Sequence, residues 1–189
     1  MQRRNGCLTL VGITAVIIVG LVCGGAFMFV RATLASDTAR GHRNLATGNY
    51  RAAISAYSTA IALNPNDSDA YCSRGSAHFN LKEYQQAADD CTAALAINPG
   101  QIPAYLHRGA SRRGLGDYAG AVSDLTIYIG YQPNSVSAWY ERGLAYDRSG
   151  DATHALADYQ RMVALYDAQH GGIRADLYTF AQQRIGELR

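Results

Sequence analysis

Two regimes of hydrophobic patterning share this chain. Residues 7–30 (CLTLVGITAVIIVGLVCGGAFMFV) are apolar without a single charged side chain, whereas from residue 31 onward apolar and polar positions alternate and read as a series of short helices. The uncharged run predicts one membrane-spanning helix behind a basic tail at residues 1–6. About 20 apolar residues suffice to cross the hydrocarbon core, and a helix of this length reaches about 36 Å. A cleaved signal peptide, beginning at Arg3 and Arg4 and cut after Thr33-Leu34-Ala35, fits less well, because the apolar part of such a signal spans about 7 to 15 residues. Gly20 and Gly24 form a GxxxG pair of the kind that lets two membrane helices approach as a homodimer. Arg3 and Arg4 before the run nearly balance Arg31, Arg40 and Arg43 after it. The short basic tail is the end expected to stay inside, which places the remaining domain outside the cytoplasm in a single-pass arrangement.

Beyond the run the chain repeats itself with a period of 34 residues. Arg40-Gly41, Arg74-Gly75, Arg108-Gly109 and Arg142-Gly143 recur at that spacing, and so do Ala53, Ala87, Ala121 and Ala155. Tyr50, Tyr84 and Tyr118 form another column, as do Pro65, Pro99 and Pro133, and Tyr71, Tyr105 and Trp139. Each unit reads as two helices. The first ends near Gly48, Lys82, Gly116 or Gly150, and the second stops before a Pro, which lacks an amide proton and disfavours helix in the residue before it. Asp117 and Asp151, or Asn49, are placed to cap the second helix. The glycine and alanine columns remove bulk so that paired helices can approach with ridges in grooves. Tyr57, Tyr71, Tyr105, Trp139 and Tyr159 are expected to fill gaps between neighbouring units.

The units run over about 34–67, 68–101, 102–135 and 136–167, within a body of residues 31–167. Ala60 and Ala94 give way to Tyr128 and Met162, and Asp167 replaces the closing Pro, so the later units are expected to pack differently. Residues 173–189 place Ile173, Leu177, Phe180, Ala181, Ile185 and Leu188 on one helical face, which predicts a terminal helix covering the last unit after a linker at 167–172.

At these columns the sequence resembles the tetratricopeptide-repeat family over about residues 34–167. The resemblance implies an all-α, right-handed superhelical solenoid of about four helix-turn-helix repeats with a C-terminal capping helix, here preceded by one transmembrane helix. It also implies a concave ligand face made by the first helix of each unit. That face would present His42, Ser73, Ser76, Leu106, His107, Ala110, Arg113, Tyr140, Leu144 and Arg148. The Lys and Asn set with which some members clamp a C-terminal carboxylate is missing, since Thr38, Cys72 and Leu106 stand where Lys would come first. A groove holding a helix or extended peptide through Leu106, Tyr140 and Leu144 suits these residues better.

The arginine column departs from the family, which has an apolar residue there. Arg74, Arg108 and Arg142 precede Asp90, Asp124 and Asp158 by a constant 16 residues. This predicts a ladder of ion pairs across the helix turn, worth about 0.2–1 kcal/mol each if exposed. Arg40 has no such mate, because Ala56 takes the aspartate's place.

Composition then narrows function by exclusion. The formal charge of +2 resides in Arg3 and Arg4, leaving residues 31–189 balanced and without the basic patch of a nucleic-acid binder. His42, His78, His107, His154 and His170 carry no partner spacing of a catalytic site, and no phosphate-binding or zinc-protease motif occurs. Cys7 and Cys23 lie in the apolar run. Cys72 and Cys91 fall on the two helices of one unit without the spacing of a zinc site, and a bond between them would need an oxidising compartment. No catalytic residue, cofactor or metal is therefore expected. The reading is a membrane-tethered, non-catalytic scaffold that binds a protein or peptide and meets the lipid bilayer through residues 7–30. A self-assembling structural membrane protein and a non-catalytic subunit of a membrane enzyme or secretion complex remain open alternatives.

Overall fold

The structure, a computed structural model, describes residues 37–168 and 175–188. The apolar run at 7–30, with Gly20 and Gly24, and Ile173 lie outside the described residues. Among those described, no helix is long and apolar enough to cross a membrane.

Every described element is an α-helix. Helix α1 covers residues 37–46, followed by α2 (Tyr50–Leu63), α3 (Ser68–Asn80), α4 (Tyr84–Ile97), α5 (Ile102–Leu115), α6 (Tyr118–Tyr131), α7 (Val136–Ser149), α8 (Ala152–Ala168) and α9 (Ala175–Glu187). Turns of two to four residues join α1 through α8, so consecutive helices run antiparallel. From α2 onward each helix packs on the next, and α3 also packs on α5 and α5 on α7. No comparable packing joins α4 to α6 or α6 to α8 among the described residues. The odd-numbered helices thus form a close inner layer and the even-numbered ones a splayed outer layer.

The helix ends follow from the turn columns. Gly48, Gly116 and Gly150 take φ of +76°, +87° and +87°, a left-handed conformation that costs glycine nothing. Lys82 is held in the same place at φ +61°. Pro65, Pro99 and Pro133 each lie two residues beyond the last residue of an outer helix. The fourth unit has Asp167 instead, and α8 runs on through Ala168 for 17 residues where α2, α4 and α6 have 14. Asp167 therefore belongs to the helix rather than to the linker expected there, since it neither lacks an amide proton nor constrains its predecessor.

Among the caps, Asp117 accepts from Gly120 N at 2.9 Å and Asp151 from His154 N at 3.1 Å. Asn49 makes no cap bond; its amide donates to Thr47 Oγ1 at 3.1 Å. Asp67 and Ser135 cap α3 and α7 through Ala70 N and Ala138 N, a role the repeat columns do not signal because the two residues differ in type.

The core is built on small residues. Ala53, Ala87, Ala121 and Ala155 are fully buried. A Cβ on Gly75 would lie 3.1 Å from the Ala87 carbonyl oxygen, and one on Gly109 3.2 Å from that of Ala121, so the inner helix presses against the outer helix's backbone. Opposite the glycines stands a buried column of mixed size: Tyr57, Cys91, Leu125 and Tyr159. A Cβ on Gly41 would approach Tyr57 Cε1 to 2.5 Å, and one on Gly143 would approach Tyr159 Cε1 to 3.0 Å. Tyr57 and Tyr159 thus fill hollows inside their own units and also pack on the next element, Tyr57 with Ala70 and Ala77 of α3 and Tyr159 with Leu177 and Ala181 of α9. Tyr71 is half-buried and does pack on the clusters of two adjacent units. Met162, where earlier units have Ala, is fully buried, and it joins Ala155 and Tyr159 under Leu177, Ala181 and Ile185 of α9.

Candidate functional site

Three arginines of the inner helices reach the outer layer. Arg74 donates from Nε and Nη2 to Asp90 at 2.8 and 2.7 Å, Arg108 to Asp124 at 2.8 and 2.7 Å, and Arg142 to Asp158 at 2.8 and 2.9 Å. Each guanidinium also lies over the aromatic residue three positions before it: Tyr71 at 5.5 Å, Tyr105 at 5.6 Å and Trp139 at 4.8 Å. Arg74 Nη1 bonds Ser58 and Arg142 Nη1 bonds Thr126, both at 3.0 Å, which ties each unit to the outer helix of the one before. At the middle rung Arg112 supplies another bond to Asp124, at 2.8 Å. These hydrogen bonds raise the pKa of Arg74, Arg108 and Arg142, so all three stay cationic.

The aspartates are 7%, 2% and 4% exposed, so these are not the weak surface pairs the spacing suggested. Removing one partner strands a buried charge, a loss of about 3–5 kcal/mol. Arg40 instead pairs with Asp37 of its own helix at 2.9 Å.

The residues of the expected ligand face divide into two groups. Towards the N-terminus His42 is exposed, with Nδ1 2.9 Å from the Tyr57 hydroxyl, while Ser73, Ser76, Leu106 and His107 are half-buried on α3 and α5. Burial lowers the His107 pKa to about 4, and its neutral ring faces Phe79 of α3 at 6.2 Å. Ala110 is 3% exposed and is corrected from ligand face to core, because a methyl group in the inner layer is covered by the helices around it. Arg113 donates to Glu141 at 2.6 Å, bridging α5 to α7.

At the other end, helix α9 changes the surface. Tyr140 meets Phe180 edge-on at 5.9 Å, and Tyr140 and Leu144 both belong to the cluster that α9 covers. Arg184 of α9 grips Asp147 of α7 through Nε and Nη2 at 2.9 and 2.6 Å, and Asp147 also accepts from the Tyr159 hydroxyl at 3.2 Å. Burial, with Asp147 nearby, pushes the Tyr159 pKa up. The exposed Arg148 lines a cleft of about 330 Å³ with Leu144, Asp147, Phe180 and Arg184. The groove expected through Leu106, Tyr140 and Leu144 is therefore not one surface. Sequence reasoning missed the Arg184–Asp147 clasp, for which the one signal was a basic residue on the polar flank of α9.

Cys72 and Cys91 are both free and buried. Burial pushes the Cys72 thiol up to about 11 and the Cys91 thiol upward as well, so neither is activated. Among the described residues, no group of three or more His, Cys, Asp or Glu is placed to hold a metal ion.

The family model for the tetratricopeptide repeat matches residues 38–102 and 106–170, well over half the chain. No curated protein matches it. Among solved structures, MamA from Desulfovibrio magneticus RS-1 superposes with a TM-score of 0.66 at 23% identity, over 82% of this chain and 93% of that one. The Arabidopsis OM64 TPR domain gives 0.59 at 27%, over 62% and 98%. The first TPR of Spaghetti (RPAP3), bound to the HSP90 peptide SRMEEVD, gives 0.59 at 27%, over 63% and 94%. With its 34-residue columns, its antiparallel helix pairs and this match, the chain belongs to the tetratricopeptide-repeat family.

Proposed function

We propose that this protein is a membrane-tethered scaffold that binds a segment of another protein along the inner face between α1 and α5. The observation that carries the reading is the division of that face. Helix α9 covers Tyr140 and Leu144, whereas His42, Ser73, Ser76 and Leu106 have no such cover among the described residues. The RPAP3 domain was solved with a peptide bound, which supports a peptide as the class of ligand. The chemistry of recognition here differs from a carboxylate clamp. Thr38 and Leu106 are uncharged, and Cys72 is buried as a neutral thiol, so the SRMEEVD peptide is expected not to bind. The bilayer is engaged by residues 7–30, with the repeat domain outside the cytoplasm and Gly20 and Gly24 as the face through which two anchors would pair.

A photo-crosslinking residue placed at Ser76, and separately at Ala96 on outer helix α4, tests the binding face in membranes. A discrete adduct is expected from Ser76 alone, lost when Leu106→Arg is added. Equal adducts from both positions, or none from Ser76, would remove the inner face from consideration.

A further inference from the structure

The geometry points to a second surface: the edge of the array where outer helices end and inner helices begin lies against the lipid headgroups of the membrane holding the anchor. This rests on the tether proposed above.

Because consecutive helices are antiparallel, the start of α1 shares one edge with the ends of α2, α4 and α6 and the starts of α3, α5 and α7. The chain therefore leaves the apolar run and enters the array on that edge. Only residues 31–36 intervene, and six residues reach about 20 Å at most. Four of the five large apolar residues exposed among those described gather there, Leu115 being the exception. Leu63, Ile97 and Tyr131, 40%, 37% and 65% exposed, are the last residues of α2, α4 and α6 and stand 34 residues apart; Ile127 lies one turn before Tyr131. Exposure at this column is not obligatory, since its fourth place, Leu165, is buried.

Charge is distributed in the opposite sense. Residues 92–107 and 125–140, which cross this edge, contain no Asp, Glu, Lys or Arg. Of the acids in the corresponding first turn, Asp67 caps α3 and Asp69 accepts from Gln101 at 2.7 Å. The far edge carries Arg51, Lys82, Arg112, Arg113 and Arg148. An edge whose charges are confined to the Asp37–Arg40 pair of α1 and to Asp67 and Asp69 of α3, with protruding aliphatic groups and a tyrosine elsewhere, suits the interfacial layer of a bilayer, where amphipathic rings settle, and it requires no anionic lipid. Four side chains would hold a free protein only weakly. A tether of six residues converts the contact into an intramolecular one at high effective concentration.

The full chain, with Cys7→Ala and Cys23→Ala, is labelled with the polarity-sensitive fluorophore NBD at Gly130→Cys beside the apolar column, or at Leu115→Cys, an exposed apolar position on the far edge. Each is reconstituted into phosphatidylcholine vesicles and floated on a gradient; the unsubstituted background corrects for Cys72 and Cys91. A blue shift and quenching by brominated phosphatidylcholine are expected at 130 and not at 115, and both diminish on adding Ile97→Asp and Tyr131→Asp, exposed positions whose change leaves the fold intact. Failure to float would sink the anchor and this edge with it. Flotation with water-like emission at both positions would sink the edge alone. A blue shift at 130 without bromolipid quenching would mean that protein, not lipid, covers it, and would also overturn the proposal.

Discussion

In the first unit Tyr57 fills the hollow over Gly41 and its hydroxyl meets the exposed His42. In the fourth, Tyr159 does the same over Gly143, but its hydroxyl goes to Asp147, which Arg184 of α9 holds through two further bonds. The packing inside the two units is alike. What differs is whether anything crosses the inner face above it. A repeat array has a similar interior at both ends and unequal demands there, because a terminal unit either finds a cap or presents its face. Among the described residues one end has the cap, and the other presents the surface proposed for a partner.

Truncating the two tyrosines probes this most strongly. Tyr57→Ala and Tyr159→Ala are each expected to cost about 3–5 kcal/mol in denaturant unfolding, as loss of a buried aromatic does. Only the second should speed amide exchange in α9; equal acceleration from both would erase the difference between the ends. Asp124 belongs to neither end, so Asp124→Ala, which leaves Arg108 and Arg112 without their shared carboxylate, should lower stability by about 3 kcal/mol and loosen both halves alike. A loss below about 0.5 kcal/mol would return the ladder to the class of surface pairs.

A smaller effect concerns pH on the uncovered side. The folded His107 takes its proton near pH 4, whereas an unfolded histidine does so near 6.5. The unfolded chain therefore binds more protons between those values. Stability should be full above about pH 6.5 and fall as pH drops towards 4. His107→Phe should flatten that window, measured as thermal midpoint against pH. The smallest change is a gain: Lys82→Gly relieves a left-handed lysine and should add about 1 kcal/mol. No gain would show that the Lys82 side chain compensates for its backbone.

The fold was largely legible because its determinants are local and recur. Arg-Gly, Ala and Pro columns mark the helix contacts and stops by residue type alone. The site was less so, because its decisive contacts break the period. Arg113 meets Glu141 across 28 residues and Arg184 meets Asp147 across 37, so neither falls in a 34-residue column. Ala110 looks like a surface residue of an inner helix until α5 is seen packed between α3 and α7. Tyr57 and Tyr159 announce that a ring must be housed and leave open on which side. Asp167 was expected to open the linker and instead continues α8, and that α9 then settles over Tyr140 and Leu144 depends on where a chain lands after its turn.

The glycine column has a consequence for how such a chain can diverge. A seat made of bare backbone has accepted a phenol at Tyr57 and Tyr159, a thiol at Cys91 and an isobutyl group at Leu125. Latitude for change lies on the outer helix and almost none on the inner one, so duplicated units can drift apart without a matching substitution across the contact. Copies that have drifted no longer fit one another's places equally well, which discourages neighbours from stacking out of order. The residue that keeps the units alike is the one that lets them acquire separate identities.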